Sequence, residues 1–264
     1  MPSVPIYTVD AFTDRAFSGN PAGVCLLEAE RDDSWMQIVA REMGHSETAF
    51  LVPHPGDGFD LRWFTPAVEV ELCGHATLAS SHVLWESGTV EASDTLRFHT
   101  KSGVLQASHQ GSLIELDFPA RVEQRSAAPA GLMSALGVKP AYVGRSKSDY
   151  LVEVESEDVV RGTKPDFARL AAVEARGVIV TSRAETNGYD FVSRFFAPRV
   201  GVDEDPVTGL AHCSLAPYWG AKLGKTEMIG RQLSLRGGTV RVRVEGDRVM
   251  LGGNAVTVLR GVLV

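Results

Sequence analysis

The chain has 264 residues, a formal net charge of −7 and 44% hydrophobic residues. This acidic composition argues against a nucleic-acid partner, because phosphate binding requires a basic surface. The three cysteines cannot all pair, which favours a reducing cytoplasm over a disulfide framework. No apolar run reaches the roughly 20 residues that span a bilayer, and the N-terminal residues 1–5 lack the features of a signal peptide. We therefore expect a cytoplasmic protein with no membrane partner.

The first half of the chain alternates predicted strands and helices. In chain order, hydrophobic periodicity predicts a strand over 24–30, an amphipathic helix over 33–43, a strand over 48–52, an apolar helix over about 75–87, and a hairpin of strands 104–108 and 113–117.

The second half contains the same series. The predicted elements are a strand over 150–155, a helix over 166–175, a strand over 178–181, an apolar helix over 208–223, and a hairpin of strands 240–244 and 249–251. We expect Pro217 to kink the apolar helix or to mark the limit of its first turn. A linker is predicted near 121–140, where periodicity is lost, and it divides the chain into lobes 1–125 and 126–264.

An internal repeat connects the two halves. Residues 62–79 align without a gap on 194–211, at an offset of 132 residues, with seven of eighteen positions identical. Duplication predicts two pseudo-symmetric lobes with a cleft between them. The apolar helix of each half has no polar face, so it should be buried within a curved sheet or barrel. Mixed strands and helices predict an α+β fold.

Three ionisable residues are candidates for catalysis. Glu47 stands between a helix and an apolar strand, where partial desolvation would raise its pKa and allow it to remove and return a proton. His75 lies at the start of the first apolar helix, where it would relay a proton or be a packed core histidine. Asp205 precedes the second apolar helix and would polarise a substrate or cap the helix. The alternative for Glu47 is a surface glutamate.

The starts of the two apolar helices, at Gly74 and at Thr208-Gly209, present backbone N–H groups that suit a small carboxylate. The alternative is an ordinary capped helix start. Cys73 is a possible thiol base or a small buried residue, and Asp205 at its repeat position excludes a two-thiol mechanism. No metal-ligand spacing, dinucleotide fingerprint, phosphate-binding loop or nucleophile elbow is present, so we predict no metal.

Four stretches of this sequence carry a family resemblance: 9–22, 46–50, 62–77 and 204–209. In them the chain resembles the PhzF family, named for the phenazine biosynthesis isomerase. The resemblance implies a diaminopimelate epimerase-like fold, no cofactor and a homodimer. It also implies that Glu47 matches the glutamate that moves a proton between carbons of a dihydro-hydroxyanthranilate.

The resemblance further implies that His75 and Asp205 line the site. The remaining predicted substrate-binding residues are Asn20, Ser46, Cys73, Gly74, Thr208, Gly209 and Leu210. Leu210 departs from the phenazine enzyme, which has a serine there that helps to hold the substrate. We therefore expect a cofactor-independent isomerase or epimerase acting on a small carboxylic acid. The alternatives are a non-catalytic small-acid binding protein and a lyase or dehydratase that uses the same proton abstraction.

Overall fold

The computed structural model describes residues 3–264, so the signal-peptide prediction falls partly on residues 1–2, outside the described ones. The chain forms two compact units. Unit 1 contains the residues up to Phe118 together with Gly252–Val264, and unit 2 contains Pro119–Leu251. Within residues 3–264, no helix combines the length and apolarity needed to cross a membrane.

The chain begins with eight strands and two helices. They are β1 (Val4–Ala11), β2 (Asn20–Leu26), α1 (Asp33–Met43), β3 (Glu47–Pro53), β4 (Phe59–Phe64), β5 (Glu69–Val70), α2 (Gly74–Glu86), β6 (Leu96–Thr100), β7 (Gly103–Gln110) and β8 (Leu113–Pro119).

The next elements build unit 2, and the last strand returns to unit 1. They are β9 (Gln124–Arg125), α3 (Leu132–Leu136), β10 (Tyr142–Arg145), β11 (Asp149–Glu153), α4 (Glu157–Gly162), α5 (Phe167–Ala171), β12 (Gly177–Arg183), β13 (Phe191–Ala197), β14 (Val202–Asp205), α6 (Gly209–Leu223), β15 (Glu227–Gln232), β16 (Gly238–Glu245), β17 (Arg248–Gly253) and β18 (Ala255–Leu263).

The two units have the same strand pairing. In unit 1, β1–β2 is antiparallel, β2–β3 parallel, β3–β4 antiparallel, β4–β6 parallel and β6–β7 antiparallel. In unit 2, β10–β11, β11–β12, β12–β13, β13–β15 and β15–β16 follow the same series of directions. The register of the second parallel pair repeats as well. Phe59 faces Phe98 in unit 1 and Phe191 faces Gly230 in unit 2, and each residue of the second pair lies 132 positions after its counterpart in the first. Each unit is thus one copy of the duplicated sequence.

The predicted lobe boundaries differ from the structural ones. The first unit ends at Phe118 rather than at residue 125, and residues 252–264 belong to it rather than to the second lobe. The physical reason is that β18 forms an antiparallel ladder with β1, in which Val4 faces Leu263 and Ala11 faces Ala255. Such long-range pairing has no local sequence signal.

Several predicted elements need correction. The strand predicted over 24–30 ends at Leu26 and begins earlier, at Asn20. The helix predicted over 166–175 is only Phe167–Ala171, and a second short helix precedes it. The predicted linker 121–140 contains β9 and α3. Short elements of this kind give too little periodicity to be located from sequence.

Helices α2 and α6 are buried almost all round, as predicted. In α2, eleven of the thirteen residues are buried, and the helix packs on β1, β2, β3 and β18. Its hydroxyl groups bond back to the preceding turn, from Thr77 to Cys73 O, Ser80 to Ala76 O and Ser81 to Thr77 O. The helix therefore buries polar residues without leaving these groups unsatisfied.

Pro217 lies inside α6, so the prediction that it marks the first-turn limit is wrong. A proline has no N–H, so it cannot bond the carbonyl four residues earlier. That carbonyl, of Cys213, instead accepts a hydrogen bond of 2.9 Å from the backbone N–H of Arg121. The segment that follows β8 thus satisfies the group that the proline leaves unpaired.

The same arginine arrangement occurs in each unit. Arg62 donates to both oxygens of Glu69, at 2.8 and 2.9 Å, and its guanidinium lies over the Phe64 ring. Arg194 does the same with Glu204, at 2.7 and 2.8 Å, over Phe196. These bidentate pairs fix the strand that precedes each buried helix.

We expect Arg194→Ala to lower the free energy of unfolding by about 3 kcal/mol, because it leaves the partly buried Glu204 carboxylate unpaired. The variant also loses the bond from Arg194 Nη1 to Thr163 O, at 2.6 Å. Denaturant unfolding measures the change, with Arg183→Ala as an exposed control expected to stay within about 0.5 kcal/mol of the parent. Equal stability of the two variants would contradict the prediction.

Candidate active site

Glu47 is the first residue of β3, which β2 places in parallel register through the Ala22–Glu47 pair. Its side chain is 18% exposed, and its Oε2 lies 3.2 Å from His75 Nε2. Glu47 is therefore not an ordinary surface glutamate, which was the alternative prediction from sequence. The carboxylate sits at the edge of a buried cluster, with one side still open to solvent.

His75 is the second residue of α2 and is 4% exposed. Polar groups surround its ring: Asn20 Nδ2 lies 3.2 Å from Nδ1, Ser46 Oγ 3.3 Å from Nε2, and Cys73 Sγ 3.5 Å from Nδ1. Ser46 Oγ also donates to Asn20 Oδ1. The predicted residues of the first motifs therefore converge on one imidazole.

The direction of the Glu47 pKa shift is opposite to the sequence prediction. Burial by itself would raise the pKa of Glu47, but the hydrogen bond and charge of His75, with hydrogen bonds from Ser46 and Cys73, lower it. Burial would likewise lower the pKa of His75, but Cys73 and Glu47 raise it well above its ordinary value. The two shifts therefore favour the charged form of each residue. Sequence could show the burial of Glu47 but not its contact with His75.

Cys73 caps α2 without a side-chain hydrogen bond to the helix backbone. Burial, followed by the charge of Glu47, raises the pKa of its thiol to about 11. A thiol with that pKa stays protonated at neutral pH and is a poor base. All three cysteines, Cys25, Cys73 and Cys213, are buried and free.

The ligand atoms of Glu47, Cys73 and His75 lie within 4.8 Å of one another, close enough to hold a metal ion. Metal binding requires a thiolate and a neutral imidazole. The raised pKa values of Cys73 and His75 favour the thiol and the imidazolium instead. A metal ion at this position would therefore have to displace the protons of Cys73 and His75.

The second predicted motif forms its own network in unit 2. Asp205 ends β14 and accepts a hydrogen bond from the Thr208 hydroxyl, while Gly209 begins α6. Thr208 is the N-cap of α6 but makes no side-chain bond to the helix backbone. Asp205 thus pairs with the cap residue. Leu210, the second residue of α6, is 8% exposed.

Sequence reasoning missed Gln232, the last residue of β15. It is fully buried and bonds three atoms of the Asp205 loop: its Oε1 accepts from Thr208 N at 2.9 Å, and its Nε2 donates to Asp205 O at 2.6 Å and Thr208 Oγ1 at 3.4 Å. A single glutamine at a strand end carries no motif. Its role is visible only in the folded structure, where Gln232 contacts Asp205, which lies 27 residues earlier in the sequence.

A family comparison identifies the chain. The sequence model of the family described as phenazine biosynthesis-like protein, PhzC-PhzF, matches residues 9–261. The chain belongs to the PhzF family. An uncharacterized isomerase of Halalkalibacterium halodurans is 54% identical over 264 residues, covering 100% of this chain and 99% of that protein. An uncharacterized isomerase of Pseudomonas aeruginosa is 49% identical, covering 98% of each. These relatives confirm the predicted family and the isomerase class.

Solved structures confirm the predicted fold. A PhzF-family protein of Enterococcus faecalis superposes with a TM-score of 0.94 at 40% identity, covering 99% of each chain. A probable proline racemase of Agrobacterium radiobacter superposes with a TM-score of 0.66 at 11% identity, covering 99% of this chain and 93% of that one. The second likeness shows a shared fold only, in agreement with the predicted α+β, epimerase-like architecture.

We expect His75 to stay protonated well above pH 6.5 in the folded protein, and its pKa to fall in Glu47→Gln because the charged partner is lost while burial remains. The stability that protonated His75 contributes is complete below its unfolded pKa of about 6.5. It is lost as the pH rises through the higher folded pKa. Nitrogen-15 NMR titration of the imidazole measures both values. The same midpoint in parent and variant would show that Glu47 does not control His75.

Proposed function

We propose that this chain is a cofactor-independent isomerase that moves a proton on a small carboxylic acid, with Glu47 as the general acid and base. The observation that carries the proposal is the Glu47–His75 pair, a mostly buried carboxylate 3.2 Å from a buried imidazole at the start of a buried helix. The names of the isomerase relatives support the reaction class.

The lowered pKa of Glu47 makes it ionised at neutral pH, so it can accept a proton from substrate carbon without prior deprotonation. The electron pair of the broken C–H bond moves into the conjugated system of the substrate. The protonated Glu47 then returns its proton to a second carbon, so the reaction has no net change in protons or electrons. The positive charge of His75 offsets the negative charge of the intermediate.

Only one copy of the repeat carries this base. Phe50 faces Arg62 in unit 1 and Val180 faces Arg194 in unit 2, so the repeat position of Glu47 is Gly177. Racemisation by two bases needs an acid or base on each face of the substrate carbon. A single carboxylate favours proton transfer along one face, which is the outcome of an isomerisation.

The first turn of α2 supplies the second part of the proposed site. The first backbone N–H groups of a helix have no partner within the helix, so in this proposal those near Gly74 hold a substrate carboxylate or an enolate oxygen. Asn20 and Ser46 orient His75. In unit 2, we propose that Asp205 orients the substrate and that Thr208 and Gly209 bind it.

We expect Glu47→Gln to reduce turnover by a factor of about 10² to 10⁴, because it keeps the shape of the side chain and removes the base. A thermal-shift screen of small carboxylic acids first identifies a ligand. Uptake of solvent deuterium into that ligand, followed by NMR, then measures proton abstraction.

The matched control is Glu42→Gln, which changes an exposed glutamate on α1. Exchange at the parental rate in Glu47→Gln would show that another group carries the proton. Binding without exchange in the parent would indicate the small-acid binding protein. Release of water or another fragment would indicate the lyase or dehydratase.

We expect Cys73→Ser to keep most of the activity. The Cys73 thiol is protonated at neutral pH, and the repeat-related residue is Asp205, so no pair of thiols can form. The same exchange assay measures the rate, and circular dichroism checks the fold. Complete loss of exchange in a folded variant would make Cys73 a base and would point to a racemase-like mechanism.

We expect the chain to bind the phenazine precursor, a dihydro-hydroxyanthranilate, poorly, because Leu210 lacks the hydroxyl that a serine would offer. Loss of such a bond to a charged group costs about 1.5–3 kcal/mol. Leu210→Ser should therefore strengthen binding of that acid, measured by calorimetry. An unchanged ligand profile with reduced stability would show that Leu210, which is 8% exposed, acts only in packing.

A further inference from the structure

The side chains of Glu47, Cys73 and His75 form a compact group of three different ligand types. Their ligand atoms, a carboxylate oxygen, a thiol sulfur and an imidazole nitrogen, lie within 4.8 Å of one another. All three residues belong to unit 1, where β3 contributes Glu47 and the start of α2 contributes the other two. Within residues 3–264, no other group of three such side chains comes this close together.

The separations within this cluster approach those of a tetrahedral zinc site. Zinc bonds of about 2.0–2.3 Å place neighbouring nitrogen and oxygen ligands about 3.3 Å apart, and neighbouring sulfur and nitrogen ligands about 3.6 Å apart. Glu47 Oε2 lies 3.2 Å from His75 Nε2, and Cys73 Sγ lies 4.0 Å from the same nitrogen. A shift of the thiol by a few tenths of an ångström would match the second of these separations.

The ligand types select among metal ions. A thiolate and an imidazole favour zinc and similar ions, whereas Mg²⁺ and Ca²⁺ prefer oxygen ligands. One carboxylate and one thiolate together balance the charge of a divalent ion, which matters because Cys73 and His75 are buried. Three protein ligands leave the fourth position of a tetrahedron for water. Glu47, whose side chain is partly exposed, provides the open side through which an ion would enter.

Asn20 supplies the outer contact that a metal-bound histidine requires. A histidine that binds a metal through one ring nitrogen usually donates its other N–H to an oxygen. The side-chain amide of Asn20 lies 3.2 Å from His75 Nδ1, and its oxygen accepts a hydrogen bond from Ser46 Oγ. A half-turn of this amide exchanges its nitrogen and oxygen. The amide oxygen would then accept from Nδ1, and the amide nitrogen would donate to the Ser46 hydroxyl.

The second copy of the repeat lacks all three ligands. Asp205 and Val207 stand at the positions of Cys73 and His75, and Gly177 stands at the position of Glu47. The cluster is therefore not a feature that the duplicated fold imposes on both units. This difference predicts one metal ion per chain.

We propose that Glu47, Cys73 and His75 bind one zinc ion, and that the bound zinc inhibits the enzyme by occupying Glu47. The inhibition rests on the proposed function, whereas the zinc binding does not. Zinc would bind the carboxylate, the thiolate and the neutral imidazole, and the protons that leave Cys73 and His75 pass to solvent. A carboxylate bound to a divalent cation is a poor proton acceptor, because the positive charge opposes its protonation.

The binding test uses the full chain without an affinity tag, treated with a chelator and then dialysed at about pH 8, because ligand deprotonation accompanies metal binding. Calorimetry measures the binding of Zn²⁺, with Mg²⁺ as the control ion. Absorption spectroscopy with Co²⁺ reports tetrahedral coordination and a charge-transfer band from thiolate to metal. The ligand variants are Glu47→Gln, Cys73→Ser and His75→Gln.

Two control variants remove comparable groups outside the cluster. Cys213→Ala removes another buried thiol, and His99→Gln removes one imidazole of a stacked histidine pair. Thermal unfolding without metal checks that every variant is folded.

We expect one zinc ion per chain, and at least about ten-fold weaker zinc binding in each ligand variant. Loss of an outer-shell partner alone typically weakens metal binding about 10- to 100-fold, and loss of a direct ligand should cost no less. Mg²⁺ should not bind in the same concentration range. The charge-transfer band of cobalt should disappear in Cys73→Ser and remain in both controls.

Zinc should also slow the deuterium exchange that is catalysed by the parent, and a chelator should restore it. Each variant is compared with its own exchange rate without zinc. On that scale, Cys73→Ser should need at least about ten-fold more zinc than the parent for the same inhibition, because it has lost one ligand.

The zinc site is overturned if the parent binds no zinc or shows no charge-transfer band with cobalt, a result that needs no variant. It is also overturned if the two controls lose zinc binding as much as the ligand variants do. Zinc binding with unchanged or faster exchange would overturn the inhibition. Absence of exchange in the parent, with or without zinc, would contradict the proposed function, while calorimetry and cobalt absorption would still decide the zinc site.

Discussion

Each unit depends on the burial of a helix that has almost no polar face. Helix α2 is covered by β1, β2 and β3, and also by β18 from the C-terminal end of the chain. A helix that is apolar on all sides needs strands on more than one side to exclude water. This requirement explains why the last thirteen residues pack in the first unit, where β18 pairs along β1.

The burial of these helices also decides the charge of the two histidines that they carry. His212, in the first turns of α6, is fully buried, and its Nδ1 lies 2.9 Å from Thr208 O. Burial lowers its pKa to about 4, so it is neutral. His75 is buried to a similar degree in α2, but the neighbouring Glu47 and Cys73 raise its pKa. Similar burial therefore goes with a lowered pKa in His212 and a raised pKa in His75, and the neighbours Cys73 and Glu47 make the difference.

The sequence predicted what the repeat and the periodicity encode. The aligned stretches 62–79 and 194–211 became the strand and helix that recur in each unit, and the apolar helices were located within two residues. Contacts between distant segments could not be predicted. The raised pKa assigned to Glu47 was wrong because its environment depends on His75, 28 residues away in the chain. Gln232 was missed for the same reason, because nothing local marks it as a partner of the Asp205 loop.

Divergence between the copies has a steric component as well as a chemical one. Gly177 occupies the repeat position of Glu47, and a Cβ there would lie 2.1 Å from the Phe195 ring. Arg176 stacks on the same ring and pairs with the buried Asp149, so a shift of Phe195 would disturb this stacking contact. Replacement of Gly177 by glutamate would therefore displace the Phe195 ring. The proposed proton chemistry is thus confined to the copy that contains Glu47, and the second copy is free to specialise in other contacts.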